Sequence, residues 1–224
     1  MQWLERFCEK TSNKKMTLLE TLNWRYATKR YDSNKKISPS ALEEIKTAIQ
    51  LAPSSYGLQL YQVLHIKDTQ LREQLKAAAY QQPQLTEAAE LFVFCHFEDA
   101  TPQHIDRYIE LKAKTQAVPK ETLLAYGETM KGSIVGLPKE QKQIWMAKQV
   151  YIALANGITA SANLGIDSSP MEGFDKAAFD EILDLKSKGL QSAVILALGY
   201  RSEEDETQHQ TKVRKPLEEL FTSI

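Results

Sequence analysis

Two short stretches, far apart in the chain, carry clustered cations. The first is RYATKRYD at 25–32, with Arg25 and Lys29 four residues apart. In a helix that spacing puts both on one face; in extended chain the even spacing puts both on one side. The second is KVRKP at 212–216, where Lys212 and Arg214 are two apart and align in extended backbone. Two converging pairs would suit a phosphate monoester, which carries close to two negative charges and takes charge-assisted donors, bidentate from arginine. Each pair also has a plainer reading. Arg25 and Lys29 could complement the dipole at a helix C-terminus, and Lys212 and Arg214 could sit in a solvated basic tail.

Three further stretches offer hydroxyls, amides or a carboxylate. PSSYGLQLYQV at 53–63 places Ser54, Ser55 and Gly57 after Pro53, between a helix end and a strand. A turn there can present hydroxyl and main-chain donors to a polar ligand, or be an ordinary serine-rich loop. QQPQLTEAAELFVF offers the amides of Gln81 and Gln84 just before a strand. PMEGFD at 170–175 puts Glu172 beside Gly173 on what reads as a loop after Pro170 and Met171. Its plainer reading is a turn ahead of a helix starting near Asp175. Tyr108 and Lys112 make a Y-x-x-x-K pair that helical spacing would align, here read as helix surface.

The elements that must position these residues follow from periodicity. Leu18, Leu19 and Leu22 predict a helix over 17–25. Ser38 and Pro39 read as N-cap and first residue of a helix that ends at Pro53. Strands are expected at 61–66, 91–96 and 191–198, and helices at 69–79, 104–116 and 119–131. The longest helical stretch, 138–164, is apolar or small nearly all round in its second half and closes at Gly165. Such a helix is buried on every side, which calls for a partner subunit to cover it. Residues 1–15 read as an extension and 16–224 as one domain.

Bulk properties narrow the field. Net charge is −1 from 28 basic and 29 acidic residues, so no global field recruits nucleic acid or an anionic membrane. Cys8 and Cys95 form no C-x-x-C, and the four histidines show no metal-ligand spacing. No G-x-G-x-x-G or P-loop occurs, and neither does G-x-S-x-G or H-E-x-x-H. There is no signal-peptide h-region and no apolar run of membrane-spanning length, so the expected location is cytoplasmic.

The four motifs RYATKRYD, PSSYGLQ, PMEGFD and KVRKPL stand in this order, with WMAKQVYIALAN at 145–156 among them. Together they resemble the nitroreductase family, its oxygen-insensitive nitroreductase and dihydropteridine reductase branch, from about Met16 to the C-terminus. The resemblance implies an α+β fold of three layers, with a mainly antiparallel central sheet flanked by helices. It also implies an intertwined homodimer binding FMN tightly at the interface, with NAD(P)H as substrate and a nitroaromatic, quinone or pteridine as acceptor. A passing nicotinamide substrate explains the missing dinucleotide fingerprint. Carried over by position, Arg25, Tyr26, Ala27 and Lys29 would contact the cofactor, with Lys29 near the pyrimidine ring. Pro53, Ser54, Ser55 and Gly57 would reach it from the partner. Gln81 and Gln84 would meet the ribityl chain and ring edge, and Lys212 and Arg214 the phosphate. Pro170, Met171, Glu172 and Gly173 would form the floor, with main-chain N–H groups at Glu172 and Gly173 facing the reactive ring edge. Gly173 would allow close approach there. Ala27 replaces a common serine, and Gln81 a common asparagine. The alternatives are another reaction on the same fold, such as dehalogenation or flavin destruction, and a flavin-binding protein without turnover.

Overall fold

A computed structural model describes residues 16–224; the expected extension at 1–15 lies outside the described residues. The helix α1 (Leu18–Trp24) starts in a capping box, with Thr17 Oγ1 accepting from the Glu20 N–H and Glu20 accepting from the Thr17 N–H. The next helix, α2 (Pro39–Gln50), has Ser38 as its cap and Pro39 at its first turn. It stops at Gln50, three residues before Pro53, because Pro53 disfavours helical geometry in the residue ahead of it. Then follow β1 (Tyr61–His65), α3 (Thr69–Ala78), a short α4 (Gln84–Glu87) and β2 (Glu90–Phe97). Next come α5 (Pro102–Gln116), α6 (Leu124–Ile134) and α7 (Lys139–Asn163), and after them β3 (Asp167–Met171), α8 (Lys176–Ile182) and β4 (Leu190–Gly199). The expected helix at 119–131 opens instead as a 3-10 turn at Lys120–Leu123 before α6.

The strands form one antiparallel sheet in the order β1-β2-β4-β3. Alternation along the two central strands builds a layer on each face. Leu91, Val93 and Cys95 of β2 join Ile195 and Ala197 of β4 on one side, under Leu75 of α3, Leu85 of α4 and Phe179 of α8. Phe92 and Phe94 join Val194, Leu196 and Leu198 on the other, against Ile45 of α2 and Val150, Ala153 and Leu154 of α7. This is the expected three-layer α+β architecture. α2 and α7 pack tightly at Gly157, where a Cβ would lie 3.0 Å from Ile49 Cγ1. A third apolar group, Leu58, Leu60, Ile105, Ile109, Met130 and Met146, seats α5 and α6 beside α7.

β3 corrects the sequence reading. Pro170 and Met171 read as the start of a loop, yet Pro170 pairs with Leu196 and Met171 with Ile195. β3 is an edge strand, where a proline with no N–H to donate is tolerated. Within one chain α7 is covered on one side only, leaving Ile144, Tyr151 and Ile152 exposed. Leu18, Leu19 and Leu51 of the neighbouring α1 and α2 region are exposed as well, Leu19 to 77% and Leu51 to 74%. Among the described residues no helix is long and apolar enough to cross a membrane.

Candidate functional site

α1 ends at Trp24 and Arg25 is extended, so no helix face aligns Arg25 with Lys29; Arg25 lines the cavity described below, whereas Lys29 sits at a bend with its side chain exposed. Residue 27 bridges Ser168 beside β3, and Tyr31 bridges Arg201 after β4. The segment is held by a carboxylate that sequence reasoning missed. Asp205 is 1% exposed, and its Oδ2 accepts from the Lys29 N–H at 2.7 Å, the Arg30 N–H at 3.3 Å and the Tyr26 hydroxyl at 2.9 Å. Its Oδ1 accepts from the Thr207 N–H at 3.0 Å. Burial alone would raise the pKa of this carboxyl, but the donors from Lys29, Tyr26, Arg30 and Thr207 outweigh it and hold it below the ordinary range. Arg201 adds a second anchor. Its guanidinium lies between the Trp24 and Tyr26 rings, 4.5 and 4.6 Å from their centroids, and pairs with buried Asp167 at 2.6 Å. Glu87 of α4 accepts from Arg30 and from the Tyr31 N–H, fixing the segment to the far layer.

The two basic stretches converge. A cavity of about 630 Å³ is lined by Arg25, Tyr26, Ala27, Pro170, Lys212 and Arg214, with Thr207 to Thr211 along one wall. Burial and then the Arg214 charge lower the pKa of Arg25. Burial and then Arg25 and Arg214 lower that of Lys212. Three cations therefore face one another, and none of them has a carboxylate within ion-pair distance among the described residues. Arg25 Nε is buried and without a hydrogen-bond partner. Lys212 is committed differently from expectation. Its ammonium donates to the carbonyls of Leu22, Asn23 and Arg25 at 2.6, 2.8 and 2.6 Å, which caps the C-terminal end of α1. All three of its N–H groups are used, so toward an anion it would offer charge and not a hydrogen bond. Arg214 has only Nη1 engaged, by the Val213 carbonyl, so its remaining N–H groups are available. The Lys29 side chain is exposed.

Pro170 lines the same cavity at the end of β3, and Glu172 and Gly173 follow directly. Glu172 Oε1 accepts from the Tyr151 hydroxyl of α7 at 2.5 Å. Burial first and then Glu172 hold that hydroxyl well above the ordinary phenol range, so it stays a donor. Gln82 Nε2 donates to the Gly173 carbonyl at 2.6 Å and to the Ala79 carbonyl at 3.1 Å. Gln82 is thus the amide of the QQPQ stretch that touches this turn. Gln81 sits at φ 59, with its N–H on the Lys76 carbonyl. Gln84 is 3% exposed and its Oε1 has no partner. Gly173 has ordinary φ, and a Cβ there would meet nothing nearer than Gln82 Nε2 at 3.7 Å. The chain itself does not demand a glycine at 173.

Pro53, Ser54, Ser55 and Gly57 stand apart from the cation cavity. They form a 3-10 turn after α2, fastened to α7 where Gln149 Oε1 accepts from the Ser55 N–H at 2.8 Å. Ser54 Oγ accepts from the Gln59 N–H at 3.1 Å. One chain therefore presents two separate polar clusters, one at the cation cavity and β3 end, the other at this turn. Cys95, the free cysteine among the described residues, is buried, and burial pushes its thiol up to about 12, far from a thiolate nucleophile.

The Nitroreductase family model matches residues 22–200. The chain belongs to the nitroreductase family. A Staphylococcus haemolyticus protein, named provisionally as an NAD(P)H nitroreductase, is 33% identical over 95% of this chain and 100% of its own length. The oxygen-insensitive NAD(P)H nitroreductase of Enterobacter cloacae is 29% identical over 92% of this chain and 99% of that one. Among solved structures, a nitroreductase-like protein from Streptococcus mutans superposes with TM-score 0.80 at 23% identity, covering 92% of this chain and 97% of that one. A nitroreductase-fold protein from Exiguobacterium sibiricum, solved in complex with FMN, gives 0.80 at 18% identity over 93% and 98%. These neighbours share the fold, and the family match covers Arg25 to Gly173 but ends before Lys212 and Arg214.

Proposed function

We propose that this nitroreductase-family chain is an FMN-dependent NAD(P)H oxidoreductase that passes electrons to nitroaromatic, quinone or pteridine acceptors in alternating half-reactions. The observation that carries this is the cation cavity. Arg25 and Lys212, both partly desolvated, stand beside the exposed Arg214 with no acid in ion-pair distance among the described residues, and a bound dianion would relieve their mutual repulsion. The cavity volume of about 630 Å³ falls in the range of cofactor sites. The orphaned Arg25 Nε and Gln84 Oε1 are buried polar atoms that need a partner. At Gly173 a side chain would enter space that nothing in the chain occupies. The residues present fit FMN.

Arg25 and Arg214 would hold the phosphate, and the Lys212 charge would support them. Gln84, Gln81 and the main chain from Tyr26 to Ala27 would meet the ribityl side. Pro170, Met171, Glu172 and Gly173 would floor the ring, with their main-chain N–H groups at its reactive edge and Lys29 near its pyrimidine. When bound, FMN supplies the two-electron chemistry and the protein supplies binding, orientation and electrostatics. Tyr151 fixes the Glu172 carboxylate by donating to it, and Gln82 fixes the Gly173 carbonyl, so the turn is set before any ligand arrives. Cationic Lys29 opposes the charge that reduction would build nearby.

The functional unit is a homodimer. This reading is supported by the exposed apolar side chains Leu18, Leu19, Leu51, Ile144, Tyr151 and Ile152 of α1, the α2 end and α7, which a second copy would cover. In the dimer Pro53, Ser54, Ser55 and Gly57 of one subunit would complete the cation half-site of the other. Two measurements test this: light scattering for twice the chain mass, and steady-state NAD(P)H oxidation with a quinone by FMN-reconstituted protein. A monomer, or a flavin-loaded protein with no turnover, would overturn the reading, the latter in favour of flavin binding without catalysis.

A further inference from the structure

The turn that carries Ser54, Ser55 and Gly57 also carries Tyr56, and Tyr56 is held at φ 57 and ψ 2. A bulky residue in the left-handed region is an outlier that calls for a reason. The geometry aims its ring at α6. The Tyr56 and Tyr126 rings lie 6.4 Å apart with planes tilted by 60°, and both are more than one-third exposed. Lys112 of α5 places its ammonium 5.5 Å from the Tyr126 ring centroid and 6.0 Å from that of Tyr108. The Tyr108 hydroxyl packs against Gly57, where a Cβ would stand 2.9 Å from it. The 55–57 turn and the helices α5 and α6 therefore build one aromatic surface around a single cation.

Among the described residues no carboxylate lies within ion-pair distance of that cation. The carboxylates of the same helices are taken: Asp106 and Glu128 by Lys131 at 2.7 and 2.9 Å, and Glu110 by Lys120 at 2.6 Å. Lys112 is left against π faces, which attract a cation without neutralising it. The Y-x-x-x-K spacing that reads in sequence as plain helix surface thus has a role in the fold: it stands Lys112 over Tyr108 beside the turn.

We propose that Lys112, Tyr56 and Tyr126 form a specificity wall that selects flat aromatic electron acceptors bearing a carboxylate. This rests on the flavoenzyme reading above, since Tyr56 lies between Ser55 and Gly57, the residues that would touch the cofactor. The exposed rings supply a stacking face for a planar acceptor. The Lys112 ammonium supplies the countercharge to its acid group, and the left-handed Tyr56 turns its ring toward Tyr126 while the flanking Ser55 and Gly57 N–H groups stay on Gln149 Oε1 and the Ser54 carbonyl.

The test uses flavin-loaded protein titrated with benzoate, which is flat, anionic and not reducible under the assay conditions, with benzamide as the neutral control. Binding is followed through the flavin absorbance, without turnover. Benzoate is expected to bind more tightly than benzamide. Lys112→Gln should weaken benzoate about fivefold, the size of a partly exposed ion pair, and Lys112→Arg should restore it. The ratio of kcat/KM for 4-nitrobenzoate to that for 4-nitrobenzamide should fall by a similar factor in Lys112→Gln. A benzoate affinity and a kcat/KM ratio both within twofold of the parent protein would overturn the proposal. A protein that takes up no flavin would sink this proposal together with the flavoenzyme reading. A flavin-loaded, active protein that does not discriminate would sink this one alone.

Discussion

Asp205→Asn removes one negative charge from the point where the chain ends meet. The aspartate accepts four hydrogen bonds, three of them on Oδ2 from the Lys29 N–H, the Arg30 N–H and the Tyr26 hydroxyl. An asparagine has one acceptor oxygen. Facing Thr207 with that oxygen turns an NH₂ group onto two main-chain donors, and the opposite rotamer strands Thr207 instead. Tyr26 can rotate its hydroxyl to accept, but the amide N–H groups cannot. Hydrogen bonds to a charged acceptor contribute about 1.5–3 kcal/mol each. The 3.3 Å contact from Arg30 is the weakest, so the loss is about 3–5 kcal/mol. For a chain of this size that is a fall in Tm of roughly 10 °C. The pH dependence follows from the lowered Asp205 pKa. A group whose folded pKa is depressed contributes fully above its unfolded value, about 4, and the contribution fades as pH falls through the folded value. The gap between parent and variant should therefore be widest near neutrality and narrow below about pH 4. Differential scanning calorimetry of the flavin-free protein separates this from cofactor effects. A Tm within 2 °C of the parent at pH 7, the threshold being about 1 kcal/mol, would refute the argument that Asp205 organises the basic segment.

Arg214→Ala should leave the melting temperature of flavin-free protein within about 2 °C, because its one protein hydrogen bond is to its own neighbour, yet FMN retention after dialysis should drop sharply. Lys212→Ala should lower both, since three carbonyls at and just past the end of α1 lose their donor; a variant with unchanged stability would contradict the capping role. Tyr151→Phe should cost about 1 kcal/mol or less in stability and lower kcat more than it raises KM, because it frees the Glu172 carboxylate rather than removing a substrate contact. Gly157→Ala should destabilise by about 1–3 kcal/mol in urea unfolding, since the added Cβ would press on Ile49 of α2 at 3.0 Å.

The central strands were plain in the sequence because both faces of β2 and β4 are buried, which makes LFVFC and AVILAL continuous apolar runs. The cap at Ser38 and the length of α7 follow from local chemistry in the same way, whereas the capping box at Thr17 emerged only from the structure. β3 was not legible. It is a short edge strand containing two serines and a proline, and its burial comes from what packs over it rather than from its own pattern. Within the candidate site, Arg25, Lys212 and Arg214 were identifiable as charge clusters, and the fold brings them to one cavity. Asp205, Asp167 and Gln82 were not. Each acts across a long loop of chain, 176 residues in the case of Lys29 and Asp205, and single polar residues carry no periodicity that would mark such a contact. Lys212 shows the limit from the other side: its type was informative, but its three main-chain acceptors are a product of tertiary structure.

The most direct test of the flavoenzyme account is the visible spectrum of the purified protein under anaerobic conditions, before and after NADH or NADPH is added. The account predicts a yellow, flavin-type spectrum that bleaches with the nucleotide and returns when a quinone is added. A colourless protein that takes up no added FMN, or a flavin spectrum that neither nucleotide bleaches, would contradict it.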